Sequence, residues 1–325
     1  MINTGIVGGT GYAAGELLRI LINHPKINVK FIFSTSKAGE KVSSVHQDFM
    51  GDTDLQFSHE LDPDIDVLFL CMGHGNSEVF LQEHSVKDKT KIIDLSRDFR
   101  LAPNQNFQQR SYTYGLPELQ KEAVAEADNV ANPGCFATAI QLALFPLVKQ
   151  KILHRNVHIH GITGSTGAGS SLRETTHFSW RNSNVSIYKA LRHQHIGEVR
   201  QKLQQIDPDF NKDLNFIPVR GDFTRGIFIT AYTPCDLSLD EAKSLYQDFY
   251  HDSPFVHISS DPLHLKQVVN TNKGLLHLDK EDGKILVTSI IDNLLKGASG
   301  QAVQNMNLMF GLNETTGLKL KATYY

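Results

Sequence analysis

Two short stretches of this chain gather residue types suited to carbonyl chemistry. The first is Asn132-Pro133-Gly134-Cys135-Phe136-Ala137-Thr138, followed by Ala139, Leu142, Ala143, Phe145, Leu147 and Val148 at mostly helical spacing. Asn-Pro-Gly is a tight turn that cannot itself be helix, so the spacing predicts Cys135 in the first turn of a helix. A thiol attacks a carbonyl as its thiolate, and an unperturbed cysteine, pKa about 8.5, is only slightly ionised at neutral pH. The unpaired N–H groups and positive dipole end of a helix stabilise that anion, and then the oxyanion its attack creates. A small buried core cysteine is the competing reading; the turn ahead of Cys135 favours the nucleophile, with Asn132 beside it a candidate substrate contact. The second stretch is His193-Gln194-His195-Ile196-Gly197-Glu198. Ile196, Val199, Leu203 and Ile206 mark a helix beginning about Ile196, which puts His195 at or near its N-cap. A histidine there can act as general acid and base, with Glu198 one turn on to orient or flank it. Satisfied structural histidines are the second reading. A metal site is the third, and no second His/Cys cluster supplies more ligands, so no metal is expected.

The elements that must position these groups alternate strand and helix through the first half. Ile2 to Val7 is a short apolar strand, followed by Gly8-Gly9-Thr10-Gly11-Tyr12-Ala13-Ala14-Gly15 and a helix carrying Leu17, Leu18, Leu21 and Ile22. Strand, glycine turn and helix form a dinucleotide fingerprint, in which glycines let the backbone approach a pyrophosphate resting on the helix N-terminus. Gly8 to Ala13 are therefore the expected cofactor contacts. A second strand, Val29 to Phe33, ends in Ser34-Thr35-Ser36-Lys37, where an NAD site carries an Asp or Glu for the ribose 2′-hydroxyl. Small hydroxyls and a lysine suit a 2′-phosphate instead, so NADP(H) is the expected cofactor, the alternative being a merely solvated Lys37. Asp66 to Met72 reads as a buried strand, with Cys71 packed inside it, opening into Gly73 at the ligand crevice. Lys91 to Ser96 reads as another strand, followed by Arg97 and Arg100, candidates for anionic substrate groups or for surface salt bridges. Tyr112 to Leu119 reads as a loop.

From about Asn156 the chain becomes strand-rich. Val157 to Ile162 alternates with both histidines on one face, and Gly164 to Ser171 either wraps an anion with backbone N–H groups or is a flexible connection. Leu214–Ile217, Ile227–Thr233, Phe255–Ile258, Leu275–Leu278 and Ile285–Ile291 look antiparallel, two of them joined through Lys280-Glu281-Asp282-Gly283 as a hairpin. Arg220 and Arg225 are expected in a turn between strands, and Gly297 to Leu312 as a helix packing back on the first domain. The chain has 325 residues, enough for two domains, and a formal net charge of −3, which argues against a nucleic-acid partner. Three cysteines, Cys71, Cys135 and Cys235, fit a reducing compartment. With no membrane-length apolar run and no basic n-region at Met1 to Thr4, a cytoplasmic protein with no membrane partner is expected.

Several strings, running in order from end to end, resemble the N-acetyl-gamma-glutamyl-phosphate reductase family of arginine biosynthesis, relatives of aspartate-semialdehyde dehydrogenase. They are the Gly8–Gly15 turn, Asp94 to Arg100, Tyr114 to Leu119, Ala131 to Thr138, Gly167 to Gly169, Thr176 to Phe178, His193 to His195 and Asp292 to Ala302. The resemblance implies an α/β Rossmann dinucleotide-binding domain, residues 1–138 completed by 297–325. It also implies an α+β domain, 139–296, with a mixed, largely antiparallel sheet for substrate contacts and oligomerisation. It implies an NADPH-dependent, phosphorylating semialdehyde dehydrogenase that releases phosphate from an acyl-phosphate substrate, in a homo-oligomer (dimer or tetramer). Cys135 is then the nucleophile, and His193 or His195, the latter favoured, the acid/base with Glu198. Gly164, Ser165, Gly167 and Asn293 join the expected cofactor contacts, and Arg97, Arg100, Asn132, Arg220 and Arg225 the substrate contacts. The family pattern Phe-x-Pro-His-Leu-x-Pro-x-x-Arg-Gly is altered here: Val219 replaces the histidine and Arg220 is gained. Trp180 stands where a glutamate is common, and Arg97 replaces a small residue. A more cationic pocket suggests an N-acyl group bulkier and more acidic than acetyl, such as succinyl. Another acyl-phosphate reductase, such as aspartate-semialdehyde dehydrogenase, or a non-catalytic NADP-sensing protein are the alternatives.

Overall fold

The computed structural model describes residues 1–324 and divides into two compact units. One holds Met1–Pro133 with Ala298–Lys319, the other Gly134–Gly297 with the short stretch from Leu320 on. Tyr325, the last residue of the segment expected to complete the dinucleotide-binding domain, lies outside the described residues.

The first unit begins with β1 (Ile2–Val7), the glycine turn and α1 (Tyr12–Leu21), whose Leu17, Leu18 and Leu21 are buried. Then come β2 (Ile27–Phe33), β3 (Phe57–Ser58), β4 (Val67–Leu70), α2 (Asn76–Glu83), β5 (Lys91–Asp94), β6 (Asn106–Phe107), β7 (Arg110–Tyr114), α3 (Pro117–Ala125) and β8 (Asn129–Ala131). The sheet order is β3-β2-β1-β4-β5-β8-β7-β6, parallel throughout except for the β6–β7 hairpin. β4 is buried at every position, as a strand covered by helices on both faces must be. The order in which strands are added reverses between β1 and β4, the switch point at whose strand ends such sheets bind ligands. One expectation fails here. Tyr112 to Leu119, read as a loop, contains the end of β7 and the start of α3. Pro117 occupies the first turn of that helix, where its missing N–H costs nothing.

The second unit contains α4 (Cys135–Lys149), β9 (Val157–Thr163), α5 (Phe178–Arg181), β10 (Ser186–Ile187), α6 (His195–Ile206), β11 (Leu214–Arg220), β12 (Ile227–Pro234), α7 (Leu239–Phe249), β13 (Val256–Ser259), β14 (Gly274–Glu281) and β15 (Lys284–Ile291). Their sheet runs β10-β11-β9-β12-β15-β14-β13. β9 buries Val157, Ile159 and Thr163 while His158, His160 and Ile162 lie on the exposed face, and α4 packs on the buried side of the sheet. β12 pairs antiparallel with β9 and β15, and β14 with β15, as expected. β11 instead runs parallel to β9, and β13 parallel to β14. β9 reaches β11 through a crossover containing α6, and a parallel pair requires such a long connection. Asp282 (φ 46°) and Gly283 (φ 69°) turn the β14–β15 hairpin in the left-handed pair that a two-residue connection demands.

α8 (Ser299–Met309) belongs to the first unit and packs on α1 and α3. It is buried along its whole length although it carries Gln301, Gln304, Asn305 and Asn307. Most of those amides find partners: Asn305 donates to the Gly115 carbonyl at 2.9 Å and to Asn132 Oδ1 at 3.0 Å, and Gln304 donates to Glu314 at 2.9 Å. Among the described residues no helix is long and apolar enough to cross a membrane.

Candidate active site

Cys135 is the first residue of α4, preceded by an extended Gly134 at the N-cap. No side chain caps this helix, and its first-turn N–H groups, which lack intrahelical acceptors, lie at the tip that carries the sulfur. Glu198 reaches back from α6 and accepts the Gly134 N–H on Oε2 at 3.0 Å. Its other oxygen, Oε1, stands 3.9 Å from Nε2 of His195. One buried carboxylate thus links the nucleophile's turn to a histidine. His195 opens α6, with Gln194 as the N-cap, so the helix starts one residue earlier than its apolar stripe indicated.

His193 has a different situation. Its Nδ1 accepts the backbone N–H of His195 at 3.3 Å, and burial, helped by the charge of Lys189, pushes its pKa down to about 4. It is neutral at pH 7. The ring of Phe136, the residue after the nucleophile, lies 5.5 Å from His193 and 6.4 Å from His195, with Phe216 5.1 Å away. Gly297 passes so close to the nucleophile that an added Cβ would stand 2.8 Å from the Cβ of Cys135 and 2.7 Å from the Asn293 carbonyl. Among the described residues no group of three or more His, Cys, Asp or Glu side chains is placed to hold a metal ion.

The expected substrate contacts divide. Arg100 is buried, its Nε on the Asn132 carbonyl at 2.8 Å and its Nη2 on the Leu95 carbonyl at 2.8 Å. Asn132 itself donates to the Ala298 carbonyl at 3.0 Å while accepting from Asn305. Both brace the backbone leading to the Asn-Pro-Gly turn. Arg225 is matched by Asp292, Nε to Oδ2 at 3.1 Å and Nη2 to Oδ1 at 3.2 Å. Arg97 is exposed. Arg220 is not in a turn, as expected, but ends β11, its guanidinium carbon 4.2 Å from the centroid of the Tyr188 ring.

The glycine turn fits a dinucleotide pyrophosphate. Gly8 has φ +81°, and a Cβ there would meet the Cys71 carbonyl group at 3.0 Å; one on Gly9 would meet Ile32 at 2.3 Å. Gly11 is the N-cap of α1, again without a side-chain cap and with no acidic residue in the first turn. Thr10, Tyr12 and Ala13 complete that turn, and His46 braces it from outside, Nε2 against the Gly9 carbonyl at 2.8 Å. Ser34, Thr35 and Ser36 follow β2, and Lys37 Nζ lies 3.1 Å from Glu40 Oε1. That exposed pair is weak enough for a phosphate to compete with it. Gly73 lies in the loop between β4 and α2. In the second unit Gly164 runs tight against the next loop, its absent Cβ 2.4 Å from the Thr224 carbonyl oxygen. The N–H groups of Gly164, Ser165, Thr166 and Gly167 all donate to protein carbonyls, so these four residues form no open backbone cradle for an anion. Asn293 pins it, accepting from Gly226 N at 2.7 Å and donating to Thr166 Oγ1 at 3.0 Å.

Sequence reasoning gave no role to Arg181, Tyr188 or His46. Arg181 sits in a four-residue helix with no periodicity to reveal it.

Comparison with known proteins agrees with this geometry. Residues 3–127 match the family model described as semialdehyde dehydrogenase, NAD binding domain, and residues 135–293 the one described as semialdehyde dehydrogenase, dimerisation domain. Fold and site therefore define a two-domain semialdehyde dehydrogenase. Among solved structures, aspartate semialdehyde dehydrogenase II from Vibrio cholerae, complexed with ASA, has a TM-score of 0.74 at 16% identity, covering 96% of this chain and 98% of that one. The Candida albicans aspartate semialdehyde dehydrogenase with NADP scores 0.72 at 12% identity, over 95% and 98%. At such identities the likeness is one of fold. Curated relatives are much nearer: N-acetyl-gamma-glutamyl-phosphate reductases of Flavobacterium johnsoniae (56% identical over 99% of each chain), Christiangramia forsetii (54%, all of both) and Bacteroides fragilis (53%, all of both). The chain belongs to the N-acetyl-gamma-glutamyl-phosphate reductase family.

Proposed function

We propose that this chain reduces an N-acyl-gamma-glutamyl phosphate to the N-acyl-glutamate semialdehyde and phosphate with NADPH, a step in arginine biosynthesis. The observation that carries this reading is Cys135 at an uncapped helix start, tied through the buried Glu198 to His195. The thiolate of Cys135 attacks the acyl-phosphate carbonyl, and the first-turn N–H groups of α4 hold the oxyanion. Collapse expels phosphate and leaves a thioester on Cys135. A nicotinamide dinucleotide held by Gly8 to Ala13, with Ser34 to Lys37 toward its 2′-phosphate, supplies the hydride that reduces this thioester. His195 donates a proton to the resulting oxyanion and takes it back as the thiohemiacetal breaks to the aldehyde, the sulfur leaving as thiolate. Glu198 favours the protonated imidazole and fixes Gly134. His193, neutral and accepting the His195 N–H, holds its neighbour in place rather than carrying the proton.

The acyl group is acetyl or succinyl, the latter favoured by the gain of Arg220 and by Trp180. The protein works as a cytoplasmic homo-oligomer, dimer or tetramer, in line with the dimerisation-domain match. The test is phosphate-dependent NADP reduction with N-acetyl- and N-succinyl-glutamate semialdehyde, beside aspartate semialdehyde. Turnover of an acylated glutamate semialdehyde that disappears in Cys135→Ser supports the reading. Full turnover in that variant, or a preference for aspartate semialdehyde, refutes it.

A further inference from the structure

Around Tyr188, which is in electrostatic reach of Cys135, stands a group of side chains to which the reaction steps above assign no contact. Arg181 is 8% exposed, yet its guanidinium is poorly served: Nη2 donates to the Thr163 carbonyl at 3.0 Å, while Nε is buried with no hydrogen-bond partner. A buried donor left unmatched is expensive, and a charged one more so. Arg220 repels it, and burial together with that repulsion lowers its pKa although Tyr188 and Asp222 act the other way. Arg220 rests on aromatic rings, 4.2 Å from the Tyr188 centroid and 6.0 Å from that of Trp180, a stacking that fixes a guanidinium plane while leaving its edge free for hydrogen bonds. The one carboxylate nearby, Asp222, accepts the Ser183 N–H at 2.7 Å. Tyr188 is the hub, in electrostatic reach of Arg181, of Arg220 and of Cys135. Arg225 shows what a satisfied arginine looks like in the same unit, with Asp292 across its fork. Arg181 and Arg220 have no such counterpart.

We propose that Arg181 and Arg220, steadied by Tyr188 and Trp180, form the subsite that binds a carboxylate of the substrate whose thioester forms on Cys135. The proposal rests on the reaction assigned above. Paired guanidinium forks match a carboxylate in shape and charge, and an incoming carboxylate relieves both the repulsion between them and the unmatched Nε. Two carboxylates of the substrate class fit: the α-carboxylate of the glutamyl unit, present whatever the acyl group, and a terminal carboxylate on the acyl arm.

The experiment measures KM for N-acetyl- and N-succinyl-glutamate semialdehyde, and for phosphate, in Arg220→Met, Arg220→Lys and Arg181→Met. Losing one charge-assisted contact raises the semialdehyde KM by about 10- to 100-fold, with the phosphate KM within about twofold of the parent and partial recovery in Arg220→Lys. A rise for both semialdehydes marks the α-carboxylate; a rise for the succinyl compound alone marks the acyl arm. Semialdehyde KM values unchanged in both Met variants, or a rise confined to phosphate, overturn the proposal. Arg220 is only half-buried and its replacement carries the test by itself if Arg181→Met does not fold. Calorimetric titration with N-acetyl- and N-succinylglutamine reads the same affinities without turnover. If the parent oxidises neither semialdehyde, the assigned reaction fails, while these titrations still decide the subsite.

Discussion

Replacing Glu198 by glutamine separates the two jobs assigned to that side chain. Glutamine keeps an oxygen able to accept the Gly134 N–H that now sits 3.0 Å from Oε2, so the turn before Cys135 stays pinned. What disappears is a negative charge 3.9 Å from Nε2 of His195. Two unit charges at that separation attract by about 4 kcal/mol at an effective dielectric near 20, and by about 1 kcal/mol in water. The site is buried on both sides of the pair, with side-chain exposures of 8% and 4%, but glutamine's own dipole returns part of the loss. A net change of about 1.4–2.7 kcal/mol in the steps that need a protonated imidazole is expected, or about 10- to 100-fold in kcat. Glu198→Ala removes the Gly134 acceptor as well and is expected to lose about a further tenfold, leaving a buried N–H unmatched. The assay is kcat for phosphate-dependent oxidation of the acylated glutamate semialdehyde at saturating NADP and phosphate, with Cys135 alkylation rates as a check on the nucleophile. Equal kcat in the parent and Glu198→Gln refutes the electrostatic role. Equal losses in the glutamine and alanine variants refute the role of the Gly134 hydrogen bond.

Gly297→Ala drives a methyl group to within 2.8 Å of the Cys135 Cβ and 2.7 Å of the Asn293 carbonyl. We expect a destabilisation of about 1–3 kcal/mol in urea unfolding and a fall in kcat of at least about tenfold; an active, equally stable variant contradicts the close approach. Asp94 is fully buried, and burial raises its pKa from 3.8 to about 6 despite hydrogen bonds from Ser77 and Ser96 and the nearby Arg100. Because the folded state holds this proton more tightly than the unfolded one, the parent loses stability relative to Asp94→Asn as pH rises from about 4 to about 6. The difference levels off near 3 kcal/mol, about two pKa units. Urea midpoints at pH 4.5 and 7 that move in parallel for the two proteins rule this out.

The parts of the fold legible in the sequence were those with a local cause. The strand, glycine turn and helix from Ile2 to Leu21 follow from apolar periodicity and from positions only glycine can occupy, and Asp282-Gly283 announces its hairpin by backbone preference alone. Cys135 was placed correctly in the first turn of its helix because Asn-Pro-Gly forbids an earlier start. Strand direction was not legible. β11 and β13 have the same residue types as their antiparallel neighbours, and only the path of the chain between strands makes them parallel. α8 is buried with a polar sequence because amides along it meet groups brought in by the fold, Asn305 the Gly115 carbonyl and Gln304 the Glu118 carboxylate. The arginines illustrate the same limit at the site. Arg100, Arg220 and Arg225 are equivalent as letters, and only their surroundings distinguish a backbone brace, a guanidinium stacked on an aromatic ring and a satisfied ion pair.

The polypeptide changes unit three times, at Pro133–Gly134, at Gly297–Ala298 and at Lys319–Leu320. The residue after the first crossing is followed directly by Cys135, and the residue before the second lies against it. Anyone dissecting this enzyme into exchangeable modules therefore has no neutral seam to cut at either of the first two crossings. A graft that swaps the dinucleotide-binding half for another necessarily rewrites the bonds adjoining both Gly134 and Gly297. Reactivity at the thiol is a sensitive report on whether such a chimera has been joined correctly.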